Sequence, residues 1–222
     1  MELNPHDLIN IAKTDDLVTD HPLLPWAVSS LADAPYVVVR RSIPPKGFAA
    51  VGIRGFQRGQ RMAASLKLQD IQEIVRPHML ICDKNWKAAY PNELSKPILT
   101  LQKIIPVMNE TGLYWGPTGS TGFELMSGIK TLTENSDLDL VINADSPLSI
   151  SYAALLLKKL EALAVTRLDI QLNTPLGGSS LKEYINSTMV LVKTLTGPKL
   201  VKPSALWDNP DCIQPVYDEI NR

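Results

Sequence analysis

Ser136-Asp137-Leu138-Asp139-Leu140-Val141-Ile142 is the stretch on which the reading of this chain turns. As a strand it alternates faces, so Asp137 and Asp139 point one way while Leu138, Leu140 and Ile142 point into a core. Two carboxylates side by side repel each other unless a cation sits between them. Magnesium prefers such hard oxygen sites and leaves positions for water and substrate phosphates. A second stretch, Val165-Thr-Arg-Leu-Asp-Ile-Gln-Leu172, repeats the pattern, with Leu168, Ile170 and Leu172 alternating with Arg167, Asp169 and Gln171. Between the two lies Ser151–Leu163, built of good helix formers with Lys158, Lys159 and Glu161 on its solvated face. A strand–helix–strand unit of this length brings its strands together. Asp169 is then expected to join Asp137 and Asp139, a set suited to holding metal and stabilising an in-line phosphoryl displacement.

Upstream, Trp115-Gly-Pro-Thr-Gly-Ser-Thr-Gly122 places glycines beside hydroxyls, which suits a turn whose backbone N–H groups cradle an anion. No Gly-Lys-Ser/Thr follows, so it is not a P-loop. Trp115 adjoins this turn and is the one tryptophan worth testing as a stacking platform.

Farther out, Tyr36–Arg40 and Phe48–Ile53 read as paired strands around the Ile43-Pro-Pro-Lys-Gly47 turn. Leu66–Val75 fits a helix period, and Ile98–Asn109 and Leu181–Leu195 read as helices. The breaker-rich Tyr90-Pro-Asn-Glu-Leu-Ser-Lys-Pro97 marks a boundary. The expected fold class is mixed α+β. A small β-rich domain over residues 1–92 precedes a larger α/β domain over residues 93–222 with a mixed sheet.

Composition excludes several classes. The 222 residues are 45% hydrophobic and 20% charged, as in an ordinary soluble globular protein and unlike a disordered or collagen-like chain. Cys82 and Cys212 stand far apart without a C-x-x-C pair, against a zinc site or a disulfide framework. The N-terminus lacks a signal-like apolar core, and the longest uncharged apolar stretch, near Leu148–Leu157, is too short to span a bilayer. A cytoplasmic protein without a membrane partner is expected.

The net charge of −1 conceals a division. Residues 1–39 are acidic, whereas residues 40–67 hold Arg40, Arg41, Lys46, Arg54, Arg58, Arg61 and Lys67 with no acid. A concentrated positive block suits an anionic partner. A nucleic acid is not expected, because the overall pI is 6.3 and aromatic residues are not interleaved with the basic ones.

Gly119-Ser120, then Asp137-Leu-Asp139, then Asp169 on a later strand, resembles the nucleotidyltransferase fold of the polymerase-beta superfamily. The separation of Ser120 from Asp137 is longer than that superfamily's usual gap. The stretch from Trp115 to Gly128, followed by Ser136–Leu140, closely resembles the phosphoribosyl-dephospho-CoA transferase of malonate decarboxylase. So do Val51–Arg61, Asn173–Gly178 and Lys193–Val201, and the likeness covers roughly residues 36–205. The resemblance implies transfer of a prosthetic group from 2′-(5″-triphosphoribosyl)-3′-dephospho-CoA to a serine of the apo acyl-carrier subunit, with diphosphate leaving. It also implies magnesium, with manganese an alternative, on Asp137, Asp139 and Asp169. Asp169, or a water it orients, assists deprotonation of the carrier serine. Gly119 and Ser120 grip the triphosphate, and Lys193 and Lys199 neutralise the leaving diphosphate. Arg54, Arg58 and Arg61 meet the donor or the carrier. The competing expectations are adenylyl transfer from ATP to a protein or small molecule, and a non-catalytic nucleic-acid-binding module.

Overall fold

The computed structural model describes residues 2–57, 59–82 and 95–208. Arg58, Trp86, Cys212 and residues 90–94 of the breaker-rich stretch lie outside the described residues. The first sheet is made by β1 (Leu8–Ile11), β2 (Leu17–Val18), β3 (Tyr36–Val39), β4 (Phe48–Arg54), β5 (Arg61–Lys67) and β6 (Ile71–Val75). Its order is β2-β5-β4-β3-β1-β6, and its pairings are antiparallel. The expected pairing of Tyr36–Arg40 with Phe48–Ile53 is present, with Val38 opposite Gly52. One face buries Ile9, Val37, Val39, Val51, Ile53 and Leu66 against Ala27 and Leu31 of α1 (Pro25–Asp33). Burying each such branched side chain contributes about 1.5–3 kcal/mol.

The stretch Leu66–Val75 is not the expected helix. Leu66 ends β5, a 3-10 turn covers Leu68–Asp70, and Ile71–Val75 forms β6. Leu66 pairs with Leu17 and with Ala49, while Ile74 pairs with Ile9. Two half-buried strands joined by a tight turn place their apolar residues at intervals that imitate a helix. The sheet partners supply the hydrogen bonds that decide against it.

After α2 (Met79–Cys82), the helix α3 (Lys96–Asn109) buries Ile98, Leu101, Ile104 and Met108 on one stripe, with Pro97 tolerated in its first turn. The chain then forms β7 (Tyr114–Pro117), α4 (Gly119–Ser127), β8 (Leu138–Asn143), α5 (Ile150–Leu163) and β9 (Leu168–Asn173). The strand–helix–strand unit is as expected: β8 and β9 are parallel, with Leu138 opposite Leu168 and Asp139 opposite Asp169. Ser149 starts α5 by accepting a hydrogen bond at Oγ from the Tyr152 N–H at 3.2 Å.

The remaining elements are β10 (Gly178–Ser180), α6 (Leu181–Asn186), β11 (Val190–Thr194) and β12 (Gly197–Val201). The second sheet runs β12-β11-β10-β9-β8-β7 and mixes parallel with antiparallel pairs. The expected helix over Leu181–Leu195 stops at Asn186, and residues 190–194 form a strand instead. There Val190, Val192 and Thr194 are buried while Leu191 and Lys193 face out, a period of two. No helix among the described residues is long and apolar enough to cross a membrane.

The chain divides into two compact units, Met1–Glu93 with Gly116–Thr133, and Leu94–Trp115 with Glu134–Arg222. The second is therefore not the continuous 93–222 segment expected, since residues 116–133 group with the first. The cause is α4, whose Phe123 is buried with Leu8, Ala34, Val75 and Leu80 on the face of the first sheet opposite α1.

Candidate functional site

In the second unit, β8 and β9 present a polar file on one sheet face. Asp139 stands beside Asp169, Val141 beside Gln171, and Asn143 beside Asn173, whose Nδ2 donates to Asn143 Oδ1 at 3.0 Å. The alternate residues Leu138, Leu140, Ile142, Leu168, Ile170 and Leu172 are buried. This hydrophobic file fixes the register, because a slip by one residue would drive both carboxylates into the core. Neighbouring strands lie about 4.8 Å apart, so Asp139 and Asp169 project side by side.

Asp137 lies next to this pair in the sequence. It precedes β8 and forms an ion pair with Arg167, Oδ2 to Nη2 at 3.1 Å. Among the described residues, no three His, Cys, Asp or Glu side chains gather to enclose a metal ion. Asp139 and Asp169 thus stand side by side, while Asp137 is paired with a guanidinium. Even so, the pair fits magnesium, which is commonly held by one or two carboxylates with water and substrate phosphates completing its shell.

The two lysines separate. Lys193 is opposite Gly178, which is opposite Asn173, so it lies on the carboxylate face. Counting strand rises and spacings, its backbone is about 13 Å along the sheet and about 10 Å across from that of Asp169. Lys199 stands opposite the buried Val192 and lies on the other face. The two therefore do not act on one group from the same side of the sheet.

The glycine-rich segment is a strand leading into a helix rather than a plain loop. Gly116 sits where a Cβ would come within 2.2 Å of the Pro77 carbonyl. Gly119 opens α4 with a φ of 56°, a left-handed conformation that favours glycine. Trp115 is 2% exposed and donates from Nε1 to Asn109 Oδ1 at 3.4 Å. It is a core residue and not a stacking platform.

The first unit brings together what the sequence had only placed in one basic block. Arg54 is 6% exposed; its Nη2 donates to Ser120 Oγ, and its guanidinium carbon lies 5.4 Å from the Phe123 ring centroid. Arg54 pairs in register with Arg61 across β4 and β5. Both line a cavity of about 530 Å³, together with Arg40, Gly119 and Thr118. Sequence reasoning missed Arg40 as a site residue, although its position two residues after Val38 on a strand carried the signal. The segment from Ser120 to Asp137 also has a structural explanation. It contains α4 and a loop held by Glu124, whose Oε2 accepts from the Thr131 N–H at 2.6 Å and the Leu132 N–H at 2.7 Å.

Two features stand out: a carboxylate pair on one sheet face of the second unit, and arginines around a cavity of the first unit that the N-terminus of α4 lines. Family models place the chain further. Residues 4–77 match the N-terminal domain of phosphoribosyl-dephospho-CoA transferase MdcG, and residues 87–204 match its C-terminal domain. A phosphoribosyl-dephospho-CoA transferase of Pseudomonas putida (strain GB-1) is 41% identical over 199 residues, covering 89% of this chain and 92% of its own. The corresponding proteins of Pseudomonas syringae pv. tomato and Azotobacter vinelandii are 40% and 36% identical, each over 89% of this chain and over 90% and 92% of their own. No solved structure matches. The chain belongs to the phosphoribosyl-dephospho-CoA transferase family.

Proposed function

We propose that this transferase attaches the 2′-(5″-phosphoribosyl)-3′-dephospho-CoA group to a serine of the apo acyl-carrier subunit of malonate decarboxylase. The donor is 2′-(5″-triphosphoribosyl)-3′-dephospho-CoA, and the leaving group is diphosphate. The observation that carries the reading is the in-register pair Asp139–Asp169 on adjacent parallel strands, within a chain whose relatives bear the transferase name.

Bound at Asp139 and Asp169, magnesium would supply charge neutralisation for a triphosphate and its leaving diphosphate. Manganese offers the same oxygen preference. Asp137 would be the third carboxylate of this set, and Arg167 holds it by an ion pair. Asp169, or a water it orients, accepts the proton of the carrier serine as its oxygen attacks the α-phosphorus. Gly119, Ser120, Arg54, Arg58 and Arg61 engage the donor's phosphates. Of the two lysines, Lys193 shares the carboxylate face and is assigned to the leaving diphosphate, whereas Lys199, on the other face, is not.

The test is intact-mass measurement of the apo carrier after incubation with this protein, magnesium and the donor, beside a parallel reaction with ATP. A mass gain equal to the phosphoribosyl-dephospho-CoA group, with none from ATP, is expected. Adenylylation of the carrier in the ATP arm alone would overturn the reading in favour of nucleotidyl transfer.

A further inference from the structure

The cavity in the first unit has a composition that a bare anion site would not need. Its volume of about 530 Å³ lies within the range of small-molecule pockets. All of its lining residues belong to the first unit. One face of the first sheet supplies Arg40, Arg54 and Arg61, since Val38 pairs with Gly52 and Arg54 with Arg61. Between those arginines the same face carries Gly52 and Ala63, which pair with each other and have almost no side chain. The arginine heads therefore surround a hollow rather than a packed surface. The stem of Arg40 lies across that hollow, with its Cδ 3.3 Å from where a Cβ on Gly52 would be.

The other walls are apolar. Leu8, Leu80 and Phe123 line the cavity and belong to one buried cluster, against which Val38 packs. Arg54 is held in place by Ser120 Oγ and the Phe123 ring, so its fork is set before any ligand arrives. Arginine forks match phosphate oxygens in pairs. An inorganic anion would leave the apolar walls uncovered, and an apolar ligand would leave the guanidinium groups without an anion.

We infer that this cavity binds an organic diphosphate, its two phosphates on Arg40, Arg54 and Arg61 and its organic substituent on the apolar wall. Taken with the proposed reaction, on which this part rests, the ligand is the internal 5′-diphosphate of the dephospho-CoA moiety. The first unit is thereby a donor-binding unit, and the arginines are not a docking surface for the carrier.

Calorimetric titration of the full chain with dephospho-CoA and with inorganic diphosphate tests this. Dephospho-CoA is expected to bind more tightly than inorganic diphosphate. The exposed arginines allow an Arg40→Ala/Arg61→Ala double variant, expected to weaken dephospho-CoA binding by roughly tenfold or more. Ala63→Leu, which fills the hollow and leaves every charge in place, is expected to weaken it as well. Equal affinity for the two probes, or unchanged dephospho-CoA binding in both variants, would overturn the assignment. Carrier modification by the wild-type chain, measured in parallel, separates the two claims. Transfer with binding indifferent to these variants refutes the cavity alone. Binding that depends on Arg40 and Arg61 without any transfer refutes the reaction and leaves the cavity standing.

Discussion

Asp7 shows how much a single buried charge weighs in the first unit. It is 1% exposed, and its Oδ2 accepts from the Asn4 N–H at 2.9 Å. Burial raises its carboxyl above the ordinary value, against the lowering effects of that hydrogen bond and of Arg76. A carboxyl whose pKa is higher in the folded state favours folding when protonated. That contribution is complete below the ordinary value of 3.8 and is lost as pH rises through the folded value. Asp7→Asn keeps an oxygen for the Asn4 N–H and has no charge to desolvate. Its melting temperature is therefore expected to exceed that of the wild type at neutral pH, with the gap closing as pH falls through the raised folded value towards 3.8. A gap that widened on acidification would contradict the direction assigned to Asp7. Asp139 and Asp169 belong at this scale too. Period-two alternation placed them on a polar face, and the parallel register put one beside the other. What the sequence did not disclose was the partner of Asp137: Asp137 and Arg167 immediately precede β8 and β9, and only the register of those strands makes them meet.

Among elements, those legible in the sequence carried their own periodicity. The β8–α5–β9 unit has alternating strands and a helix with a serine cap, and each local preference agrees with the tertiary partner. Where the reading failed, the burial pattern came from pairing between distant strands. Leu66–Val75 took its structure from Leu17, Ala49 and Ile9, and Val190–Thr194 from its hairpin with β12. The glycine-rich segment is an intermediate case: its composition suggested an anion cradle, whereas Gly116 is there for close packing. With a Cβ only 2.2 Å from the Pro77 carbonyl atoms, Gly116→Ala forces β7 or the Pro77 segment to move. Overpacking of this kind costs about 1–3 kcal/mol or more. A lower urea midpoint with an unchanged slope is expected, and an unchanged midpoint would mean that the two segments shift apart freely.

At the scale of the whole molecule, the charge pattern now has a structural basis. The basic block of residues 40–67 is not a uniform solvent-facing stripe: Arg54 is buried, and Arg40, Arg54 and Arg61 meet at one cavity in the first unit. The carboxylates occupy a sheet face of the second unit. The allegiance of residues 116–133 was not legible in the sequence. That depended on Phe123 finding Leu8 and Val75, both remote in sequence. The central claim, that the paired carboxylates of the second unit drive prosthetic-group transfer, is tested most directly by Asp139→Asn and Asp169→Asn. These substitutions keep size and remove charge, and transfer is read as the mass of the carrier subunit. Each is expected to retain the wild-type circular dichroism spectrum and to lose transfer by about a hundredfold or more, the scale of a lost acid–base or metal-binding group. Turnover within a few-fold of wild type in either variant would contradict the claim.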